Sequence, residues 1–426
     1  MSKNRILIVQ VAALGHELVQ RFPDLWRDLP FTFQPLKTVF PAVTCTVQAT
    51  LRTALPPDQH GVLCNGRFDR ATRRVSFWEQ SGGLLPPPRI WHDFRAAGGT
   101  VGVMFWQQSL GDGVDLVLSP APIHKHGGGM LQDCYVRPAG LYQELVAVLG
   151  RRFNLMHYWG PLVSLKSTQW IADATIALLR HGPAAPELLL TYLPHLDYVL
   201  QKAGPEHPRH VRRAVSELAG ELRRLVAAAQ EARYGIIVFG DYAMTPARQV
   251  VFPNRELRRA GLFEVRQIGR RSYPDLYASR AFAMVDHQVA HVFVRSPQDL
   301  GAVQACLARL PGVERACPAV EVVLAHPAAG ELVLVAAADA WFAYPWWQDR
   351  HEAPDYATHV DIHSKIGFDP GELFFGWPPP GISQDPGRVR GTHGRTDCPV
   401  AFGTTVDLQG VPEDILDLSR RLMRVL

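Results

Sequence analysis

The run Phe40-Pro41-Ala42-Val43-Thr44-Cys45-Thr46 places a hydroxyl where an apolar, strand-like lead-in meets a helix-like stretch, Val47 to Leu55. A hydroxyl at that junction faces the positive end of the helix dipole and its free N–H groups, a natural seat for a phosphate or another anion. On this reading Thr44 is a candidate nucleophile; on the plainer one it caps a helix. Two carboxylates bear on the choice. Leu188 to Leu193 is a strand-like run that feeds Pro194-His195-Leu196-Asp197, and Gly235 to Gly240 is another that ends on Asp241. One acidic residue at a strand end is often a helix cap, whereas two beside a candidate nucleophile point to a site. The loop Ser119 to Gly129 adds His124, Lys125 and His126 ahead of Gly127-Gly128-Gly129. Its histidines could ligate a metal and its lysine and glycines could hold phosphate. It lacks the Gly-Lys-Ser/Thr ending of a P-loop, and a loop that lids or borders the site is the competing reading.

These residues need a frame that brings them together. Ile6 to Val11 is apolar except for Gln10, the pattern of a strand buried on both faces. Ligands of an open α/β sheet bind beyond the carboxyl ends of its strands, and residue 12, at such an end, is alanine. Val101 to Trp106 and Leu116 to Leu118 read as further buried strands. A short helix begins at Ile90, and others cover Leu141 to Leu149 and Ser167 to Leu179, the latter with Ser167 as N-cap. Val211, Val215, Leu218, Leu222, Leu225 and Val226 form one apolar stripe on a long helix. This alternation predicts an α/β fold with a parallel sheet covered by helices, which would gather His195, Asp197 and Asp241 with Thr44 at one edge. From Ala281 the pattern changes. Val289 to Val294, Val320 to Leu324 and Glu331 to Ala336 are strand-like and Pro297 to Leu307 is helix-like. The chain is therefore divided into a core of residues 1–274 plus 343–426 and a small α+β insertion at 275–342.

With 426 residues, 47% hydrophobic and 20% charged, the composition is that of a soluble globular protein. A net charge of +4 makes no case for a nucleic-acid polymer, and the densest basic stretch, His207 to Arg213, reads as a solvated helix start. The six cysteines show no CxxC spacing, which argues against a zinc ribbon or a redox motif and suits a reducing compartment. The apolar run after Met-Ser-Lys-Asn-Arg is too short for a signal-peptide core, and no stretch approaches the roughly 20 apolar residues of a membrane span. The expectation is a cytoplasmic protein, with the Ala, Arg, Gly and Pro usage of a GC-rich bacterium.

Four segments in order are FPAVT followed by LPPDQHGVLCNG (40–66), YLPHLDYVLQKAGP (192–205), VFGDYAM (238–244) and GTHG (391–394). Together they resemble the alkaline phosphatase superfamily, most of all its nucleotide pyrophosphatase/phosphodiesterase branch, with phosphonoacetate hydrolases as near relatives. RIWHDF and VMFWQQS add to the likeness. The resemblance implies an alkaline phosphatase-like, mostly parallel sheet between helix layers, with two zinc ions flanking a Thr or Ser nucleophile, here Thr44. It implies that one ion is held by the Asp and His of a DxxxH motif and by a late His; these positions are Asp197, Gln201 and His393. The other would be held by an Asp after the first strand and by an Asp-His pair; these positions are Ala12, Asp241 and Tyr242. Half of that ligand set is therefore missing. Zinc takes about four N, O or S donors, so Asp197 and His393 would need another, for which His195, Asp361 and His363 are nearest by chemistry.

Two functions follow from the resemblance and its gaps. The first is a divergent metal-dependent phosphoesterase of the phosphodiesterase/pyrophosphatase type. Thr44 is its nucleophile and Asp197, Asp241 and His393 hold one divalent ion, zinc, rather than two. Gln201, Tyr242, His195, Asp361, His363, His124, Lys125 and His126 are its possible additional ligands or anion contacts. The alternative is a catalytically inactive pseudo-hydrolase without metal, which binds a phosphorylated or anionic ligand or a partner protein.

Overall fold

The structure, a computed structural model, describes residues 5–126 and 129–426. Apolar runs with little alternation make strands buried on both faces. Eight strands share the main sheet: β1 (Arg5–Val11), β2 (Gln34–Leu36), β3 (Val101–Met104), β4 (Leu116–Pro120), β5 (Cys134–Arg137), β6 (Leu188–Leu193), β7 (Tyr234–Gly240) and β8 (Val400–Thr404), in the order β2-β8-β7-β1-β6-β3-β4-β5. The central pairs β7-β1, β1-β6, β6-β3 and β3-β4 are parallel. The edges, where β8 meets β7 and β2 and where β5 meets β4, are antiparallel. This is the expected α/β architecture with a mostly parallel sheet.

Register decides where the chemistry falls. Val11 of β1 pairs with Leu193 of β6 and Gly240 of β7, so three strands end side by side. The residues that follow, Ala12, Pro194 to Asp197 and Asp241, share one edge of the sheet. Gly240 is required there, because a Cβ on it would lie 2.3 Å from the Leu14 carbonyl oxygen.

Four helices matter for the site and its support. In α1 (Thr44–Thr53) every residue is buried, and Thr44 is itself the first helical residue, three positions earlier than the apolar pattern suggests. The polar Thr44 and Thr46 hid that start; packing sets it. Ser167 is not the cap of α2 (Leu165–Leu179): Ser164 stands at that position, and Ser167 lies inside the helix with its hydroxyl on the Ser164 carbonyl at 3.0 Å. Asp197 lies in the first turn of α3 (His195–Ala203), and α4 (Pro208–Glu231) buries the stripe from Val211 to Val226. None of the helices among the described residues is long and apolar enough to cross a membrane.

A second, four-stranded antiparallel sheet is built from Ala281–Asp286, Val289–Val294, Leu332–Ala336 and Val313–Pro318, in that spatial order. The strand expected at Val320 to Leu324 is instead a 3-10 turn over Ala319–Val322, with Val320 and Val323 exposed and no partner strand. The strand lies earlier, at Val313–Pro318, where Glu314 and Arg315 broke the apolar pattern. The apolar core under this sheet also draws on Phe68, Phe77, Phe342 and Trp346. Its hairpin turn, His287-Gln288, reaches the main sheet's edge: Gln288 N–H donates to the His393 carbonyl at 2.9 Å.

Candidate active site

The site assembles around the N-terminus of α1. Val43, at the N-cap, supplies no side-chain cap, so the first-turn N–H groups depend on other partners. One of them, Cys45 N–H, donates to Asn65 Oδ1 at 3.1 Å. Asn65 in turn gives its backbone and side-chain N–H groups to Asp286, at 2.7 and 3.2 Å. Burial pushes the Asp286 carboxyl up to about 7 against the pull of those two bonds.

On the other side, the Thr44 hydroxyl donates to Asp241 Oδ2 at 3.3 Å. Asp241 is fully buried and receives three more donors: Gln10 Nε2 at 2.9 Å, Ala13 N–H at 3.1 Å and Tyr242 N–H at 3.0 Å. Burial still raises its carboxyl to about 7. Asp197 accepts from Gln201 Nε2 at 2.7 Å and from the Tyr242 hydroxyl at 2.9 Å, and burial raises it to about 6. None of these donors is a cation.

Tyr242 joins the two halves. Its ring stacks on His393 with centroids 3.4 Å apart and planes 4° apart. His393 donates through Nδ1 to the Ala42 carbonyl at 2.9 Å, which ties the GTHG loop to the lead-in of α1. On the far side of His393 lies His287, centroid to centroid 3.7 Å, and beyond it Phe368 at 4.0 Å. Burial holds His393 down to about 3 and His287 well below the usual range, so both rings are neutral.

The structure thus brings together Thr44, Asp197, Asp241 and His393 with Gln201 and Tyr242. His195 is not among them; it faces Glu217 at 3.0 Å. Asp361 turns its own loop by accepting from the His363 and Ser364 N–H groups, and His363 bonds to the Phe77 carbonyl. His124, Lys125 and His126 are exposed on and just beyond a short hairpin strand, with no hydrogen bond to the cluster among the described contacts. Gly127 and Gly128 lie outside the described residues.

Four participants escaped the sequence reading. Gln10 stood out as the one polar residue in the run Ile6 to Val11. Asn65 sits inside LPPDQHGVLCNG, where Asn-Gly reads as a turn. Asp286 and His287 form a polar break between two apolar strands, and only the fold carries that break to Thr44.

Thr44 is 4% exposed, and the cluster is closed to solvent. Neither of two cavities is lined by Thr44. One, of about 20 Å³, lies among Trp341, Tyr344 and Phe368, and an open cleft of about 330 Å³ lies beside Cys306 and Arg309.

A sheet that gathers strand-end carboxylates against a threonine at a helix start is the arrangement of the alkaline phosphatase superfamily. The chain belongs to the type I phosphodiesterase / nucleotide pyrophosphatase family, whose model matches residues 26–369. Members of that family are phosphoric ester hydrolases of this superfamily and use divalent metals, typically zinc. Among solved structures it is similar to phosphonoacetate hydrolase from Sinorhizobium meliloti 1021 in complex with phosphonoformate, at 15% identity and a TM-score of 0.62, over 100% of this chain and 96% of that one. It is also similar to murine ectonucleotide pyrophosphatase/phosphodiesterase 5, at 14% identity and a TM-score of 0.56, over 94% of this chain and 88% of that one. An inactive variant of the murine protein was solved with AMP, with the same identity and TM-score. No curated protein matches this chain in sequence.

The residues here do not fit the family's zinc ions. Among the described residues no group of three His, Cys, Asp or Glu is placed to hold a metal ion. Zinc needs about four such donors or their equivalent. Asp197 and Asp241 have both oxygens engaged by N–H and O–H groups, and Gln201 and Tyr242 point donors, not lone pairs, at Asp197.

Proposed function

We propose that this chain is a divergent phosphoesterase-type hydrolase with Thr44 as its nucleophile. The observation that carries the reading is the Thr44 hydroxyl at the first position of α1, bonded to the buried Asp241 carboxylate at 3.3 Å. A threonine hydroxyl is a weak nucleophile until a base takes its proton. A carboxyl raised to about 7 is a better base than an exposed one and is still partly ionised at neutral pH. Thr44 Oγ1 attacks phosphorus as its proton passes to Asp241 Oδ2, and the ester P–O bond breaks. The leaving oxygen takes that proton. Water then attacks the Thr44 ester and gives a proton to Asp241, which returns it to Thr44. First-turn N–H groups of α1, which Val43 does not cap, support the negative charge that develops on the phosphoryl oxygens.

The ligands of the solved relatives support a small phosphorylated or anionic substrate for this chain. Composition and thiol usage support a bacterial, cytoplasmic enzyme. The change of pattern near residue 275 supports a core of residues 1–274 plus 343–426 with an insertion at 275–342. The donor set does not suit even a single zinc ion, because Asp197 is occupied by Gln201 and Tyr242. Because Thr44 is closed off, substrate reaches it only when its surroundings move.

Turnover of a chromogenic phosphodiester tests the reading. Thr44→Ala should abolish it, Thr44→Ser should retain part of it, and Asp241→Asn should lower kcat with little change in KM. Unchanged turnover in Thr44→Ala would remove Thr44 from the chemistry. The saturation of Asp197 by Gln201 and Tyr242 favours a second reading, a silent binding protein. Tight binding of an intact phosphodiester without cleavage would select it.

A further inference from the structure

We infer that Tyr242, Gln201 and Gln10 take over the holding of the site carboxylates that metal ions perform in the family, so that this site is complete without metal. The inference concerns the same cluster as the hydrolase reading but does not require turnover.

The geometry supports it at three points. At Asp197, one oxygen accepts from Tyr242 and the other from Gln201. At Asp241, Gln10 and Thr44 share Oδ2 while two backbone N–H groups share Oδ1. At His393, the ring is fixed by the Ala42 carbonyl and packed between Tyr242 and His287. An ion shared by Asp197 and His393 would need both within about 2.2 Å. Tyr242 touches both already, with its hydroxyl on one and its ring on the other.

The donors are committed at some expense. Gln10 and Gln201 each leave their amide oxygen, Oε1, buried and without a partner among the described residues, while their N–H groups face the carboxylates. An unsatisfied buried acceptor is unfavourable, so the N–H contacts to Asp197 and Asp241 must outweigh it. An ion arriving at Asp197 would strand the Tyr242 hydroxyl and the Gln201 amide in a place where water cannot replace the lost bond. It would find too few lone pairs in return. Ala12 contributes none at the strand end where Gln10 reaches Asp241 instead.

The experiment is a metal count and a melting curve on the full chain, purified without chelator or histidine tag, then exposed to zinc or to EDTA and desalted. The wild type should retain no stoichiometric zinc, and neither treatment should shift its melting temperature. The triple variant Ala12→Asp, Gln201→His, Tyr242→His should retain zinc and be stabilised by it. A stoichiometric ion in the wild type, removed by EDTA with a fall in melting temperature, would overturn the inference. So would a folded triple variant that takes up no zinc, since the three positions would then not be what excludes the ions. If that variant does not fold, the wild-type measurements still decide. Retained metal with Thr44-dependent turnover defeats this inference alone; no metal and no turnover defeats the hydrolase reading alone.

Discussion

Replacing Tyr242 by Phe removes one hydroxyl and leaves the ring free to stack on His393. The hydroxyl is one of two donors to Asp197, at 2.9 Å, and Asp197 is buried. A hydrogen bond to a buried ionised group contributes about 1.5–3 kcal/mol, and one to a neutral group about 1 kcal/mol. Asp197 titrates near 6 because burial opposes its charge, while Gln201 and Tyr242 pull the other way. At about pH 8 the carboxylate is charged, and Tyr242→Phe should lower unfolding free energy by about 2 kcal/mol. At about pH 5 the carboxyl carries its own proton and the loss should fall to about 1 kcal/mol. Urea unfolding at the two pH values measures both, with the midpoint as the robust quantity. A loss of under about 0.5 kcal/mol at both values would refute the reasoning, because the phenol would then not be holding a buried carboxylate. A variant as stable as wild type that has gained a bound ion would refute it differently, by showing that the hydroxyl merely kept metal out.

The buried acids and histidines set an opposing pair of pH effects on stability. Asp241 and Asp286 are raised to about 7 and Asp197 to about 6, so the folded chain holds protons that the unfolded chain releases near about 3.9, and stability falls with rising pH until about 7. His60 and His393 are lowered to about 3 and His291 to about 4, so the unfolded chain takes protons the folded one refuses, and stability is lost as pH falls below about 6.5. A maximum near about pH 6 should appear in a pH series of urea midpoints, and a monotonic rise to alkaline pH would contradict it. Lys365 is buried between Asp369 at 2.8 Å and Glu372 at 2.6 Å. Lys365→Met should destabilise by about 3–5 kcal/mol through the two stranded carboxylates, and a calorimetric loss under about 1 kcal/mol would show that they readily protonate instead.

The sheet was legible because its central strands are near-continuous apolar runs, which little else in a soluble chain produces. The turn at Ala319–Val322 misled because β-branched residues suit a strand only when a partner strand is there to cover them, and Val320 and Val323 have none. The true strand beside it carries Glu314 and Arg315 outward and so lacked the pattern. In the site, Thr44, Asp197, Asp241 and His393 were legible from ordered motifs. Gln201 and Tyr242 were legible only as missing ligands; that they turn N–H and O–H groups onto Asp197 depends on rotamers that no spacing encodes. His287 reaches His393 through a hairpin turn of a separate sheet, a contact fixed by tertiary packing alone.

The most direct test of the central claim is to trap the reaction at Thr44. The full chain is mixed with a phosphodiester in the presence of EDTA, quenched in acid during turnover and mapped by peptide mass spectrometry. The account expects a phosphoryl ester on the peptide carrying Thr44, absent from Thr44→Ala. Turnover that proceeds with no adduct there, or only when metal is restored, would contradict it.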